Sequence, residues 1–485
     1  MIRRVYVYLF SIVLFAILLR LVFFSGVSTS DSVAYAKSAN DLLNNKFPSA
    51  TTQLNARIGV IIPTAISYSI LGINDFSSVL FPLLTSVLGI IVIFYFGKFL
   101  FDENVGLIAA FLLSFFPLDV LYSTRLLSDL PSAFFAGLSI ILFLKAEKIT
   151  TKKINYLFYM LSGICLGIAF TIREMAILTT LFFLVYVLYN KDYKWVYTIV
   201  GIGFLLIVVI ETGFFYFYTG NPFFKIEGAD YATNTIVYGD SFYGRISFPK
   251  FFLTWPYVIF GNIQSAYFFI FIFLAVLYWL FHRKKEADYL LIWFFSILTY
   301  FYFGTTSIKQ YVPVLAVVRY LNYITYPALI LLAAFLMRKD KIIKNLLAPF
   351  IIIILLITSI GSIYLDEDRQ STDNLKAMYR VINKIDKPVY TDDRSKLFLE
   401  YLSGYIETDK IKQFNRWENS KNFYDIDLKG VRDVYILVNH RMMKNLIESR
   451  SSYEFPKEVY DPPKDWIIIK KISLDDEDTI LYYAP

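Results

Sequence analysis

Asp31 lies a few residues beyond a long apolar run, Val5–Phe24, that is interrupted only by Ser11 and Arg20. A run of that length crosses about 30 Å of hydrocarbon. Arg3 and Arg4 precede it, so the positive-inside rule puts the N-terminus in the cytoplasm and Asp31 outside. A carboxylate at the outer mouth of a membrane bundle can take a proton from a substrate delivered in the lipid. A second carboxylate, Asp129, sits in the stretch Ser123-Thr124-Arg125-Leu126-Leu127-Ser128-Asp129, between two short apolar segments. Ionised groups at membrane depth are expensive, which marks them as site residues facing the bundle interior. Arg125 and Asp129 are one helical turn apart, so a mutual ion pair is the competing reading. Asp119 is a weaker candidate of the same kind.

Arg173-Glu174 closes one outward-going segment, and Arg319-Tyr320 opens an inward-going one. Arg125, Arg173 and Arg319 thus converge on the outer rim, against the positive-inside trend. A guanidinium grips phosphate oxygens in pairs and never loses its charge, which suits a lipid phosphate. Snorkelling to the interface explains one such arginine better than it explains three. There are two histidines, His282 in a basic loop and His440 in the tail, so a His-ligated zinc site in the membrane region is excluded. If a divalent cation takes part, it is a hard one, Mg²⁺ or Mn²⁺, with Asp31 and Asp129 as its ligands. No Gly-rich phosphate loop follows a strand and no Ser/His/Asp set is visible, so nucleotide hydrolysis has no support.

The elements that must position these residues follow from composition. The chain has 485 residues, 57% of them hydrophobic and 19% aromatic, which is the profile of a polytopic membrane protein. The apolar segments are Val5–Phe24, Val79–Phe101, Gly106–Val120, Pro131–Ala146, Tyr156–Thr171, Met175–Tyr189, Val196–Tyr218, Ser265–Phe281, Tyr289–Gly304, Val317–Met337 and Leu346–Tyr364. They predict about eleven transmembrane helices. The net charge of +7 resides largely in short loops around Lys145–Lys153, Lys191–Lys194, Arg283–Lys285 and Arg338–Lys344. With an inside N-terminus and eleven spans, all four basic groups fall on the cytoplasmic side. Topology therefore accounts for the basic residues, and nucleic acid is excluded as a partner. The single cysteine, Cys165, lies in an apolar segment, so there is no disulfide framework. The first run exceeds the apolar length of a signal peptide and no cleavage site clearly follows it, so it reads as a span.

The expected organisation is a transmembrane unit over residues 1–364 and a small extracytoplasmic α/β domain over 365–485. In the tail, Pro388–Thr391, Val434–Val438 and Trp466–Ile469 read as strands, and Ser395–Leu402 as a helix closed by Gly404. Two outer loops are long, 25–78 and 219–264. In the first, Val33, Ala36, Leu42 and Leu43 suggest a helix along the membrane surface, and Arg57–Leu71 a re-entrant or interfacial one. The second is rich in aromatics and carries Arg245.

These residues together resemble the GT-C class of polytopic glycosyltransferases, which use lipid-phosphosugar donors. The chain is similar to protein O-mannosyltransferases and to the aminoarabinose transferase that modifies lipid A. The resemblance covers roughly residues 1–340. It rests on Asp31 followed by Tyr35 and Ala39, on Arg57…Pro63…Leu71-Gly72, and on Tyr95-Phe96-Gly97-Lys98-Phe99-Leu100-Phe101. It continues through Arg125-Leu-Leu-Ser-Asp129 and Arg319-Tyr320…Pro327. It implies a transferase that moves a sugar from a polyprenyl or dolichyl phosphate to a hydroxyl acceptor on the outer face. It places the base on Asp31 and the second site carboxylate on Asp129. Arg125, Arg173 and Arg319 would bind the donor phosphate, with Tyr35, Arg57, Glu174, Tyr320 and Arg245 in support. Protein mannosyltransferases usually show Asp-Glu in the first loop, whereas Ser32 follows Asp31 here, which argues against a protein acceptor. The absence of a Trp-Trp-Asp stretch argues against transfer to asparagine. A transporter or lipid flippase is the alternative; the missing inverted repeat and the long outer loops count against it.

Overall fold

Backbone amides in hydrocarbon find partners only within their own segment, so the apolar runs fold as helices. The computed structural model of the chain describes residues 2–485, apart from 29–30, 48–51, 192–193, 231–249, 306–310, 339, 341–342, 367–371, 407, 415, 418–427, 429, 450–452 and 475–476. Every one of the eleven apolar segments contains a helix. Among the described residues, seven helices are long and apolar enough to cross a membrane, and a bent pair makes an eighth. The helices that matter for the site are α1 (Ile2–Val22), α2 (Asp31–Leu43), α3 (Ile58–Leu71), α4 (Asp75–Leu100), α5 (Glu103–Ser114), α6 (Pro117–Ser123), α7 (Asp129–Lys148) and α8 (Lys152–Ile172). They are followed by α9 (Thr180–Asn190) and α10 (Thr198–Thr219).

Helices α5 and α6 form the bent pair, at 57°. Pro117 at the start of α6 cannot continue the hydrogen-bond ladder of α5. The carbonyls orphaned at the end of α5 need other donors. Arg20 of α1 supplies one: its Nη1 donates to the carbonyl of Ser114 at 2.9 Å and also to that of Ala16. Its Nε donates to Ser86 Oγ at 2.8 Å and its Nη2 to Asp119 Oδ1, which Ser86 also donates to. An arginine in the first span therefore braces the bend that carries the chain on to Asp129. Helices α8 and α10 pack closely because Gly163 and Gly203 face each other. A Cβ at Gly163 would lie 2.0 Å from the carbonyl oxygen of Val200, and one at Gly203 2.5 Å from that of Met160.

The chain beyond the last span forms a five-stranded sheet. Its strands are β1 (Val389–Thr391), β2 (Ile411–Gln413), β4 (Val434–Asn439), β6 (Ile467–Leu474) and β7 (Glu477–Ala484), in the order β2-β1-β4-β7-β6. β3 (Arg416–Trp417) and β5 (Tyr453–Glu454) form a separate antiparallel pair. β1 runs parallel to β2 and β4, and β7 antiparallel to β4 and β6. One apolar core joins this region to the outer loop. Val33, Tyr35, Ala36 and Ala39 of α2 share it with Leu375, Met378, Phe398 and Leu399. Asp75 at the head of α4 adds polar ties, accepting from Lys376 Nζ at 2.8 Å and Tyr401 Oη at 3.0 Å. The buried face of α2 is therefore shaped by residues more than 300 positions away.

Candidate active site

Asp31 is the first residue of α2, and Asp129 the first of α7. Arg173 lies just past the end of α8, and Glu174 begins the short 3-10 turn that leads to α9. Arg319 and Tyr320 lie in a 3-10 turn, Val318–Leu321. Helix ends from four separate segments thus present one charged cluster. Arg319 donates from Nη1 to Asp31 Oδ2 at 3.1 Å, and its Nε lies 3.7 Å from Asp129 Oδ2. Arg173 Nη1 approaches Asp129 Oδ1 to 3.0 Å and donates to Ser128 Oγ at 2.9 Å. Its Nη2 donates to Tyr320 Oη at 2.9 Å. Behind this pair, Arg57 Nη1 donates to Tyr35 Oη at 2.6 Å, and its Nε and Nη2 each reach Glu174 Oε2 at 3.2 Å. Tyr35 Oη donates to Ser128 Oγ at 3.2 Å, so Ser128 joins the two halves.

The cluster is sealed at one end and open at the other. The Asp129 side chain is fully buried and that of Arg173 is 4% exposed, whereas Arg319 is 25% and Asp31 26% exposed. Burial pushes the Asp31 carboxyl up, but the guanidiniums of Arg319, Arg57 and Arg173 outweigh it and hold the group below its ordinary value. Among the described residues, neither carboxylate oxygen of Asp129 receives a hydrogen bond, although arginines stand close on two sides. A buried carboxylate held by charge without aligned donors is uncommon and points to a role other than packing. Asp31 and Asp129 are both faced by guanidiniums, and among the described residues no group of three His, Cys, Asp or Glu side chains gathers. Each of the two carboxylates is thus already paired with an arginine.

The structure brings together Asp31, Tyr35, Arg57, Asp129, Arg173, Glu174, Arg319 and Tyr320. The competing reading, a mutual ion pair of Arg125 with Asp129, is not seen among the described residues. Arg125 pairs with Asp366, which follows the last span, while Asp129 turns to Arg173 and Arg319. The short loop between α6 and α7 breaks the helix on which an i,i+4 pairing depends. Arg245 lies outside the described residues. Sequence reasoning quoted Ser128 without giving it a role, and missed the ion pair of Lys225 with Glu211, at 2.7 Å. Lys225 also donates to the carbonyl of Phe170, close to Arg173 in the chain. Its signal was available: a glutamate within the apolar segment Val196–Tyr218.

Comparison with known proteins agrees with this architecture. A family model described as dolichyl-phosphate-mannose-protein mannosyltransferase matches residues 62–212. ArnT from Cupriavidus metallidurans bound to undecaprenyl phosphate superposes with a TM-score of 0.63 at 14% identity, covering 98% of each chain. The apo form of that protein gives 0.60 at 13% identity with the same coverage. The oligosaccharyltransferase of Archaeoglobus fulgidus in its apo form gives 0.57 at 12% identity, over 96% of this chain and 73% of that one. No curated protein sequence matches significantly. The chain shares its fold with these proteins, and its long apolar helices are those of a membrane protein.

Proposed function

We propose that this protein is a membrane glycosyltransferase that moves a sugar from a polyprenyl or dolichyl phosphate to a hydroxyl acceptor at the outer face. The observation that carries this reading is the Asp31–Arg319 pair, accessible at the open end of an otherwise sealed cluster of helix-end charges. The family match, and the undecaprenyl phosphate held by the ArnT structure, support the donor class. The N-terminus is cytoplasmic in this reading, and the C-terminal sheet lies on the side of the site.

In the reaction the acceptor oxygen bonds to the anomeric carbon while that carbon's bond to the phosphate oxygen breaks. The electron pair leaves with the lipid phosphate, and the acceptor's proton passes to Asp31 as general base. Arg319, with Arg173 behind it, stabilises the charge that grows on the departing phosphate. Asp129 holds both guanidiniums in place. A single displacement with no second nucleophile inverts the anomeric configuration. The test is consumption of a radiolabelled polyprenyl-phosphate sugar by the purified protein in vesicles. Label should appear in acceptor while unglycosylated lipid phosphate accumulates. A flippase would move the lipid across the bilayer and leave its sugar–phosphate bond intact, which would overturn the reading.

A further inference from the structure

Every cation described in the cluster already faces a carboxylate: Arg319 faces Asp31 and Asp129, Arg173 faces Asp129, and Arg57 faces Glu174. An arriving phosphate therefore has to compete for a guanidinium. Only one contact in the set lies in the accessible part of the cluster, that between Arg319 Nη1 and Asp31 Oδ2. We infer that donor phosphate displaces Asp31 from Arg319, so that binding of the donor itself uncovers the base. The inference rests on the reading of the cluster as a lipid-phosphosugar site.

The geometry favours exchange at this contact over any other. Arg319 has a second anchor in Asp129, fully buried, with Nε 3.7 Å from Oδ2. When Asp31 leaves, the guanidinium stays beside Asp129 and presents its vacated Nη1 to the phosphate oxygen. Arg173 is less free, since its two terminal nitrogens are committed to Ser128, Tyr320 and Asp129. Arg57 is fixed by Tyr35 and Glu174. Released from its partner, Asp31 loses the charge that weakens it as a base and becomes a better proton acceptor. Binding is thus ordered, donor before acceptor chemistry. When the lipid phosphate leaves, Arg319 recaptures Asp31 and the base is covered again.

This exchange makes a forecast with an unusual sign. If Asp31 competes with phosphate for Arg319, removing its charge strengthens phosphate binding while it removes catalysis. Binding of polyprenyl monophosphate, in detergent and without acceptor, is measured for wild type, Asp31→Asn, Asp31→Ser and Arg319→Gln, with thermal melts to show that each is folded. Both Asp31 variants should bind on the order of tenfold tighter than wild type, the worth of one partly buried ion pair. Arg319→Gln should bind at least about tenfold more weakly. Unchanged or weaker binding in folded Asp31 variants, with binding lost in Arg319→Gln, overturns the exchange and leaves the lipid-phosphate site standing. No binding by any form, wild type included, overturns the site reading and the exchange with it.

Discussion

Two arginine–aspartate clusters in this molecule use the same residue types and come to opposite ends. Arg20 and Asp119, inside the bundle, are closed: all three guanidinium nitrogens donate, to Ser86, to two carbonyls and to Asp119, and the arginine has no exposure. The cluster of Asp31, Asp129, Arg173 and Arg319 is open and incompletely satisfied. Its outer pair is a quarter exposed, Asp129 receives no hydrogen bond, and Arg173 Nε has no acceptor among the described residues. A buried charge whose donors and acceptors are all matched holds a fold together; one left partly matched at a helix-end mouth has capacity to spare for a ligand. Charge inside a membrane protein is thus a prompt to count partners before assigning a role.

The contrast can be broken by parallel substitutions. Arg20→Leu leaves Asp119 buried and uncompensated, and thermal or denaturant unfolding should register a loss of about 3–5 kcal/mol. Arg20→Leu combined with Asp119→Leu should recover most of that stability, because a well-packed apolar pair replaces a costly ionic one. The matching double change in the open cluster, Arg173→Leu with Asp129→Leu, should melt close to wild type. Its transfer rate should nonetheless fall at least about a hundredfold, roughly 2.7 kcal/mol of barrier. If turnover recovers along with stability in that double variant, the open cluster is structural and the contrast collapses.

A third site sharpens the comparison outside the membrane. Asp392 is buried at the end of β1, where its Oδ1 accepts the Ser395 amide as a helix cap and its Oδ2 has no partner among the described residues. Burial pushes this carboxyl up to about 6. The folded state therefore keeps a proton that the unfolded chain gives up near its ordinary value. Stability from this group is complete below the unfolded value and is lost as pH rises through about 6. Asp392→Asn keeps a capping oxygen and removes the ionisable proton. Hydrogen exchange of the β1 and β4 amides should show roughly 2–3 kcal/mol more protection in the variant at pH 8, and no difference near pH 3. An equal gain at both pH values would assign the effect to packing.

Much of the site was legible because charge stands out in an apolar chain. Asp31, Arg173, Glu174, Arg319 and Tyr320 sit at or near the ends of apolar segments, and helix ends at one face of a bundle converge by topology alone. The helical segments themselves, and β1, β4 and the helix Asp393–Leu402, were legible from periodicity and turn residues. Pairings across long separations were not. Arg125 reaches Asp366 over 241 positions and Arg20 reaches Asp119 over 99, and neither contact leaves a local mark. For the same reason, the spacing of Arg125 and Asp129 allowed a pair that is not seen among the described residues. The shared core of α2 and the C-terminal sheet was hidden too, since small residues such as Ala36 and Ala39 do not announce what packs on them.

In the proposed reaction Asp31, at the open end of the cluster, takes the acceptor's proton. The most direct test of that role is the rate of sugar transfer from a radiolabelled polyprenyl-phosphate donor by Asp31→Asn beside wild type, in vesicles at saturating donor. General-base catalysis contributes about 10²- to 10⁴-fold, so the variant should fall by that factor while its melting temperature stays put. Transfer by the folded variant within about tenfold of wild type, a barrier change under ~1.4 kcal/mol, would contradict it.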